Sequence, residues 1–372
     1  MNRRIVVAAN SAGNIVTFRQ GLIRALKADG DEPIVIAPID PPAEQRMQML
    51  DVERVTIDLD RSGLNPLADL KLLRAYRRML KRLSPAAFLG FTIKPNIYGS
   101  IAARSLGIPA IPNISGLGTV FLMGGPLAVL VTAMYRFGLA GCPVVFFQNA
   151  DDLELFVERR MVRRDQAQLV PGSGIDLDLF APAELPPGPP RFLLIARLLR
   201  DKGVREYVEA ARMLRRQHPE VRFQLVGPID KGNRTAIRQD ELDRWIGEGV
   251  VEHLGSADDV RPHIAAATVI VLPSYREGLP RSLLEGAAMA RPLVTTDVPG
   301  CREVVENGVN GLLCEVRNAG SLAEAMRSLI RMPPEERSKM GRASRKLAEE
   351  RFSEERVIDA YLDALNRFAR SG

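Results

Sequence analysis

Short apolar runs alternate along the chain with longer stretches whose apolar positions recur at three- and four-residue intervals. "RRIVVAAN" (3–10), "EPIVIAP" (32–38), "AAFLGFT" (86–92) and "PVVFFQN" (143–149) are continuous enough to be strands buried on both faces. The first is followed by a loop around Gly13 and a helix over "FRQGLIRALKADG" (18–30), which Gly30 stops. Strands alternating with helices of this length predict a parallel, doubly wound sheet, hence an α/β fold.

At 181–191 the chain reads "APAELPPGPPR", which continues neither a helix nor a central strand and reads as a linker. The alternation then restarts with strands at "RFLLIARL" (191–198), "VRFQLVG" (221–227), "TVIVLPS" (268–274) and "RPLVTTD" (291–297), and a helix at "VREYVEAARMLRRQ" (204–217). The pattern predicts two Rossmann-like domains, 1–180 and 192–351. A last helix within 352–372 lies beyond the second half's final strand and is expected to pack back on the first domain. In open α/β sheets ligands bind beyond the carboxyl ends of the strands, which puts the expected site in a cleft between the halves.

Composition narrows this picture little. The 372 residues carry 51 Lys and Arg against 45 Asp and Glu, a net charge of +6. With no aromatic-basic surface pattern, that balance does not argue for nucleic acid. It is concentrated, though, in "LKLLRAYRRMLKRL" (70–83) and "ERRMVRR" (158–164), and basic amphipathic helices of this kind suit an anionic membrane surface. The stretch 116–135 is apolar but broken by Gly124, Gly125 and Pro126. It reads either as a buried element or as a surface dipping into lipid, while no run is long enough to span a bilayer. Cys142, Cys301 and Cys314 form no metal or disulfide pattern, which fits a reducing cytoplasm.

Two segments carry chemistry. In "IARLLRDKGVREYVEAA" (195–211), Arg197 and Lys202 follow a strand and precede a helix N-terminus, an arrangement suited to phosphate. In "SYREGLPRSLLEG" (274–286), Glu277 lies just beyond another strand, Gly278, Leu279 and Pro280 enter a helix, and Glu285 sits one to two turns in. A carboxylate that far into a helix gains little from the dipole. Two carboxylates beside an anion site make sense if they read hydroxyl groups, as acidic residues read ribose in dinucleotide folds. Together these features suggest a nucleotide-sugar.

The segment 253–313, which contains the Glu277/Glu285 pair with seven residues between, resembles the C-terminal half of glycosyltransferase family 4, the retaining GT-B enzymes. "ARLLRDKG" (196–203), "VPGSGIDLDLF" (170–180) and "NIVTFRQGLIRAL" (14–26) are similar to further segments of that family. The resemblance implies that Glu285 holds the ribose and that Glu277, with the Gly278 and Leu279 amides, faces the donor sugar. It implies that Arg197 and Lys202 stabilise the leaving diphosphate and that Gly13 and Asn14 approach the donor. "FTIKPNIYGS" (91–100) and "NISGLGTVF" (113–121) look like bacterial members that extend glycans on a polyprenyl-diphosphate carrier, making Lys94 a candidate for an acceptor phosphate.

The implied activity is sugar transfer from a UDP-sugar to a lipid-linked glycan in surface-glycan assembly. It needs no cofactor or metal, and it would take place on the inner face of the plasma membrane. Many relatives carry a donor-site histidine in the first domain, whereas His218, His253 and His263 all lie in the second half and read as structural. Asp58-Leu59-Asp60 and Asp176-Leu177-Asp178 mimic a metal-binding DxD outside its usual fold, and "GLGTVF" is an incomplete dinucleotide fingerprint. The rival readings are a nucleotide-sugar epimerase or hydrolase and a silent nucleotide-sugar-binding partner.

Overall fold

The computed structural model describes residues 3–59, 65–116, 125–230 and 232–369. Two compact units emerge, one of Met1–Ser173 with Glu354–Gly372, the other of Gly174–Ser353. The first holds a seven-stranded sheet in the order β3-β2-β1-β4-β5-β6-β7. Its strands are β1 (Arg4–Ala8), β2 (Glu32–Ala37), β3 (Glu53–Thr56), β4 (Ala87–Phe91), β5 (Ala110–Ile114), β6 (Val145–Phe147) and β7 (Ala167–Leu169). The second holds six strands in the order β10-β9-β8-β11-β12-β13. These are β8 (Arg191–Ile195), β9 (Arg222–Val226), β10 (Glu252–His253), β11 (Val269–Leu272), β12 (Leu293–Thr296) and β13 (Gly311–Cys314). All pairings are parallel. The six-stranded order is the Rossmann order, and the larger sheet adds one edge strand to it.

Parallel sheets covered on both faces need strands without alternation. Ile5, Val6 and Val7 of β1 and Val269, Ile270 and Val271 of β11 are all fully buried. Burying each such side chain is worth roughly 1.5–3 kcal/mol. On one face of the larger sheet lie helices Pro66–Leu83 and Gly125–Leu139, and on the other Ala12–Phe18, Gln20–Ala28 and Glu354–Phe368. Helix Pro66–Leu83 starts where the Asn65 side chain accepts from the Leu67 and Ala68 amides and Pro66 fills the first turn. It ends as Ser84 turns left-handed at φ 43°. Leu72, Tyr76, Leu80 and Leu83 form its buried stripe, so the basic residues of 70–83 face outward.

Helix Glu354–Phe368 joins the first unit through Tyr361, whose ring packs on Phe91 and Phe146 (centroids 5.8 and 4.8 Å). The Tyr361 hydroxyl accepts from Asn113 Nδ2 at 2.9 Å, and Arg3 Nη1 donates to Asn366 Oδ1 at 3.0 Å. The division between the units precedes the Pro-rich stretch. Ile175 and Phe180 bury in the second unit's core, Ile175 N–H donates to Phe352 O (2.8 Å), and Arg345 Nη1 donates to the Leu177 and Phe180 carbonyls (3.2 and 3.0 Å). Residues 174–180, expected from the sequence in the first domain, therefore fold with the second.

Among the described residues no helix is long and apolar enough to cross a membrane. Of the apolar 116–135 stretch, 117–124 lie outside the described residues, and 125–135 enter helix Gly125–Leu139. Asp60 of the first DxD mimic lies outside them too.

Candidate active site

In the second sheet the strand order reverses between β8 and β11, and both chemistry-bearing segments leave that point. After β8 the chain makes a tight turn, Arg200–Lys202, and Gly203 takes φ 71° before helix Val204–Arg215. A Cβ at Gly203 would run into the Pro273 carbonyl that follows β11, so only glycine lets the two strand ends approach this closely. The same contact brings Lys202 to Glu277. Lys202 Nζ donates to Glu277 Oε1, and Ser274 Oγ donates to the same oxygen at 2.6 Å. Ser274 is fully buried, its hydroxyl also 3.1 Å from Asp201 O, while Tyr275 N–H donates to Asp201 O at 2.9 Å. Glu277 N–H donates to Pro299 O (3.1 Å), and Gly300, at φ 82°, leaves room for the Glu277 and Gly278 carbonyls.

Gly278 and Leu279 form the loop before helix Arg281–Ala288, which begins one residue later than the proline pattern suggests: Pro280 is the cap rather than the first helical residue. Four residues in, Glu285 is 8% exposed and takes Arg281 Nε at 2.8 Å. Burial holds its carboxyl above the usual carboxylate range, with Arg281 pulling the other way. Arg197, half exposed, reaches across to Asp230 after β9 (Nη1 to Oδ2, 2.6 Å). His253 Nε2 lies 3.0 Å from the Gly227 carbonyl, a local contact at the end of β9. The structure thus gathers Lys202 with Glu277 and keeps Arg197 and Glu285 on the same carboxyl edge, each with its own counter-ion.

The first sheet reverses between β1 and β4. Gly13 and Asn14 do not lie in a loop: they occupy the first turn of helix Ala12–Phe18, which Ser11 caps by accepting the Asn14 amide at 3.1 Å. The Gly13 amide donates to Oδ2 of Asp40, in the loop after β2, at 3.0 Å, so that amide already has a carboxylate partner. Asn14 Oδ1 is buried without a hydrogen-bond partner. Across the switch point, Thr92 stands at φ 72° and its Oγ1 accepts the Asn10 amide at 3.2 Å. Lys94, largely buried, pairs with buried Asp69 at 2.9 Å. The Tyr98 phenol is pushed up by burial and by its hydrogen bond to the same carboxylate.

Sequence reasoning passed over Ser274, Arg281, Asp230 and Asp69. Ser274 stood in view, three residues before Glu277, and Arg281 stood four before Glu285, where helix geometry pairs them. Asp230 and Asp69 come from separate elements, and no local spacing betrays them. Among the described residues no group of three His, Cys, Asp or Glu gathers as a metal site would require.

Two family models match the chain, one for a glycosyl transferase 4-like domain over residues 13–173 and one for glycosyl transferases group 1 over 189–332. The N,N'-diacetylbacillosaminyl-diphospho-undecaprenol alpha-1,3-N-acetylgalactosaminyltransferase of Campylobacter jejuni is 29% identical over 345 residues, spanning 88% of this chain and 89% of the relative. A putative glycosyltransferase, EpsD of Bacillus subtilis, is 31% identical over 179 residues, 48% of this chain and 46% of its own. A solved glycosyltransferase from Rickettsia africae superposes with a TM-score of 0.78 at 19% identity, covering 99% and 98% of the two chains. Anabaena Alr3699/HepE in complex with UDP-glucose gives 0.81 at 17% identity, covering 98% and 100%. These solved structures carry the fold, and it is GT-B.

Proposed function

We propose that this chain, which belongs to glycosyltransferase family 4, moves an N-acetylhexosamine or hexose from a UDP-sugar to a glycan carried on polyprenyl diphosphate, with retention at the anomeric carbon. The observation that carries this reading is the Lys202–Glu277–Ser274 cluster at the switch point of the second sheet, with Arg197 beside it and Glu285 buried in the helix that follows. The acceptor class is supported by the printed activity of the Campylobacter relative, which acts on a diphospho-undecaprenol glycan.

In this reading Glu285 accepts the two ribose hydroxyls and Arg281 aims its carboxylate. Arg197 and Lys202 are cations already held in place by Asp230 and Glu277, and they turn to the diphosphate when the donor arrives. As the bond from the anomeric carbon to the β-phosphate oxygen breaks, its electron pair passes to the diphosphate. The two cations stabilise that charge where it grows. Glu277, with its Oε1 pinned by Ser274, faces the sugar hydroxyls together with the Gly278 and Leu279 amides. The acceptor hydroxyl forms the new bond on the same face, and its proton leaves on the departing diphosphate oxygen. Lys94 would meet the acceptor's phosphate and Asn14 the donor. A polyprenyl carrier would keep this reaction at a bilayer surface.

Turnover of a panel of UDP-sugars, with and without a polyprenyl-diphosphate glycan, tests the reading in wild type and Glu285→Ala. UDP release that requires the acceptor and disappears in the variant is the expected result. Release without acceptor would identify an epimerase or hydrolase, and binding without turnover a silent partner.

A further inference from the structure

Tyr275 stands between Ser274 and Glu277 in the loop after β11, yet its side chain answers a different element. The Tyr275 hydroxyl donates to Glu206 Oε1 at 2.7 Å, and Glu206 lies in the first turn of helix Val204–Arg215. The main chain of the same residue holds the other side of Lys202, because the Tyr275 amide donates to Asp201 O at 2.9 Å. One residue of the Glu277 loop thus grips the Lys202 segment both before and after the lysine.

Glu206 is free to take this bond for a local reason. It is the third residue of its helix, where a carboxylate usually reaches back to the amide of the cap residue. That cap is Gly203, whose amide already donates to Arg200 O at 2.8 Å. Glu206 Oε2 is buried without a hydrogen-bond partner, so loss of the phenol would leave a partly buried carboxylate with its hydrogen bonding unmet.

A third strand end joins them. Arg317, three residues past β13 and at φ 57°, sets its guanidinium 4.6 Å from the centre of the Tyr275 ring. Arginine is uncommon in the left-handed region, and here it adds a cation–π contact that restricts the ring. Burial, then the hydrogen bond to Glu206, pushes the phenol up to about 12 against the pull of Arg317 and Arg200. The hydroxyl therefore stays protonated, and a donor, at any pH near neutrality.

We propose that Tyr275 is a positioning residue for the sugar transfer: its phenol fixes the Glu277 loop against the helix that follows Lys202, and so keeps the ammonium and the carboxylate aimed at one donor. A lysine is a point charge on a flexible stem, and it stabilises a growing charge best when it is already in place. The inference rests on the catalytic reading of Lys202 and Glu277.

Steady-state kinetics combined with a double-mutant cycle tests it. Tyr275→Phe should lower kcat about tenfold, the lower end of what a hydrogen bond to a charged group is worth, with UDP affinity near wild type. Glu206→Gln keeps an oxygen for the phenol and should retain most of the wild-type rate, whereas Glu206→Ala should match Tyr275→Phe. Tyr275→Phe combined with Lys202→Ala should be no slower than Lys202→Ala alone, since a clamp acting through the lysine then has nothing to act on. A second readout needs no turnover: acylation of Lys202, followed by peptide mass spectrometry, should run several-fold faster in Tyr275→Phe. Wild-type kcat in Tyr275→Phe, or unchanged labelling, overturns the inference. So do effects that multiply in the double variant, which would make Tyr275 a general prop of the fold. Faster labelling in a protein whose turnover ignores Lys202→Ala, or that turns over no UDP-sugar, would keep the clamp and defeat the catalytic reading instead.

Discussion

The two sheets share a strand order around their switch points but load those points differently. At the β8/β11 reversal, cations and carboxylates from both strand ends meet directly: Lys202 on Glu277, with Ser274 buried beneath. At the β1/β4 reversal Thr92, Asn10 and the Ser11 cap do the joining, buried Arg19 stacks on the Phe91 ring at 4.0 Å, and Lys94 is tied to Asp69 on a helix. The same topology thus yields a charged edge suited to a diphosphate in one unit. In the other it yields an edge where Asp40 accepts the Gly13 amide and Ser11 accepts the Asn14 amide. Fold alone supplies the position, and the few side chains at the strand ends supply the chemistry.

The largest effect should come from removing one cation at the charged edge. Lys202→Ala or Arg197→Ala should lower kcat about 100- to 1000-fold, as loss of one oxyanion-stabilising group does. Far-UV circular dichroism should stay unchanged. A loss of only a few-fold would break the contrast between the two edges.

Next comes Glu285→Gln, which removes the charge but keeps the shape. UDP binding by calorimetry should weaken about 10- to 100-fold, the worth of one or two hydrogen bonds to a charged group. Because burial raises the wild-type carboxyl, ionised Glu285 prevails only above a pKa higher than the ordinary value of about 4.3. Wild-type affinity should therefore fall as pH drops toward that raised pKa, before ordinary carboxylates protonate. The Gln variant should give a flat profile over the same interval.

Ser274→Ala should cost about tenfold in kcat with donor affinity little changed, since a hydrogen bond to a charged group is worth about 1.5–3 kcal/mol. Ser274→Thr should recover part of it by returning the hydroxyl. The smallest effect belongs to the first unit's edge. Lys94→Ala should raise the acceptor KM several-fold and leave both UDP affinity and kcat near wild type. A large fall in kcat there would mean that the first unit's edge takes part in the chemistry and not only in holding the acceptor.

Much of this was legible in the chain. Uninterrupted apolar runs such as "TVIVLPS" announce strands buried on both faces, and Glu277, Glu285, Arg197 and Lys202 sit at spacings that tie them to strand ends and a helix. Gly13 was harder. Glycine and asparagine after a strand read as loop, yet Ser11 supplies a cap that starts the helix before them, so their amides face an acceptor within the fold. The Pro-rich 181–191 stretch drew the domain boundary toward itself. Ile175 and Phe180, each a lone apolar residue in sequence, had already turned into the second core.

What the sequence determined by itself is whatever depends on neighbours within a helical turn or along one strand. That includes the strands, the helix caps, the Arg281–Glu285 pair and the order of the motifs. Only the tertiary structure decided which strand ends meet. Lys202 and Glu277 are joined because Gly203, lacking a Cβ, lets the end of β8 close on the Pro273 carbonyl after β11. Asp230, Asp69 and Asp40 become counter-ions or caps for the same reason, as neighbours in space that no local pattern connects. Charges interact through distance, and distance across a sheet is set by strand order, which a one-dimensional pattern does not contain.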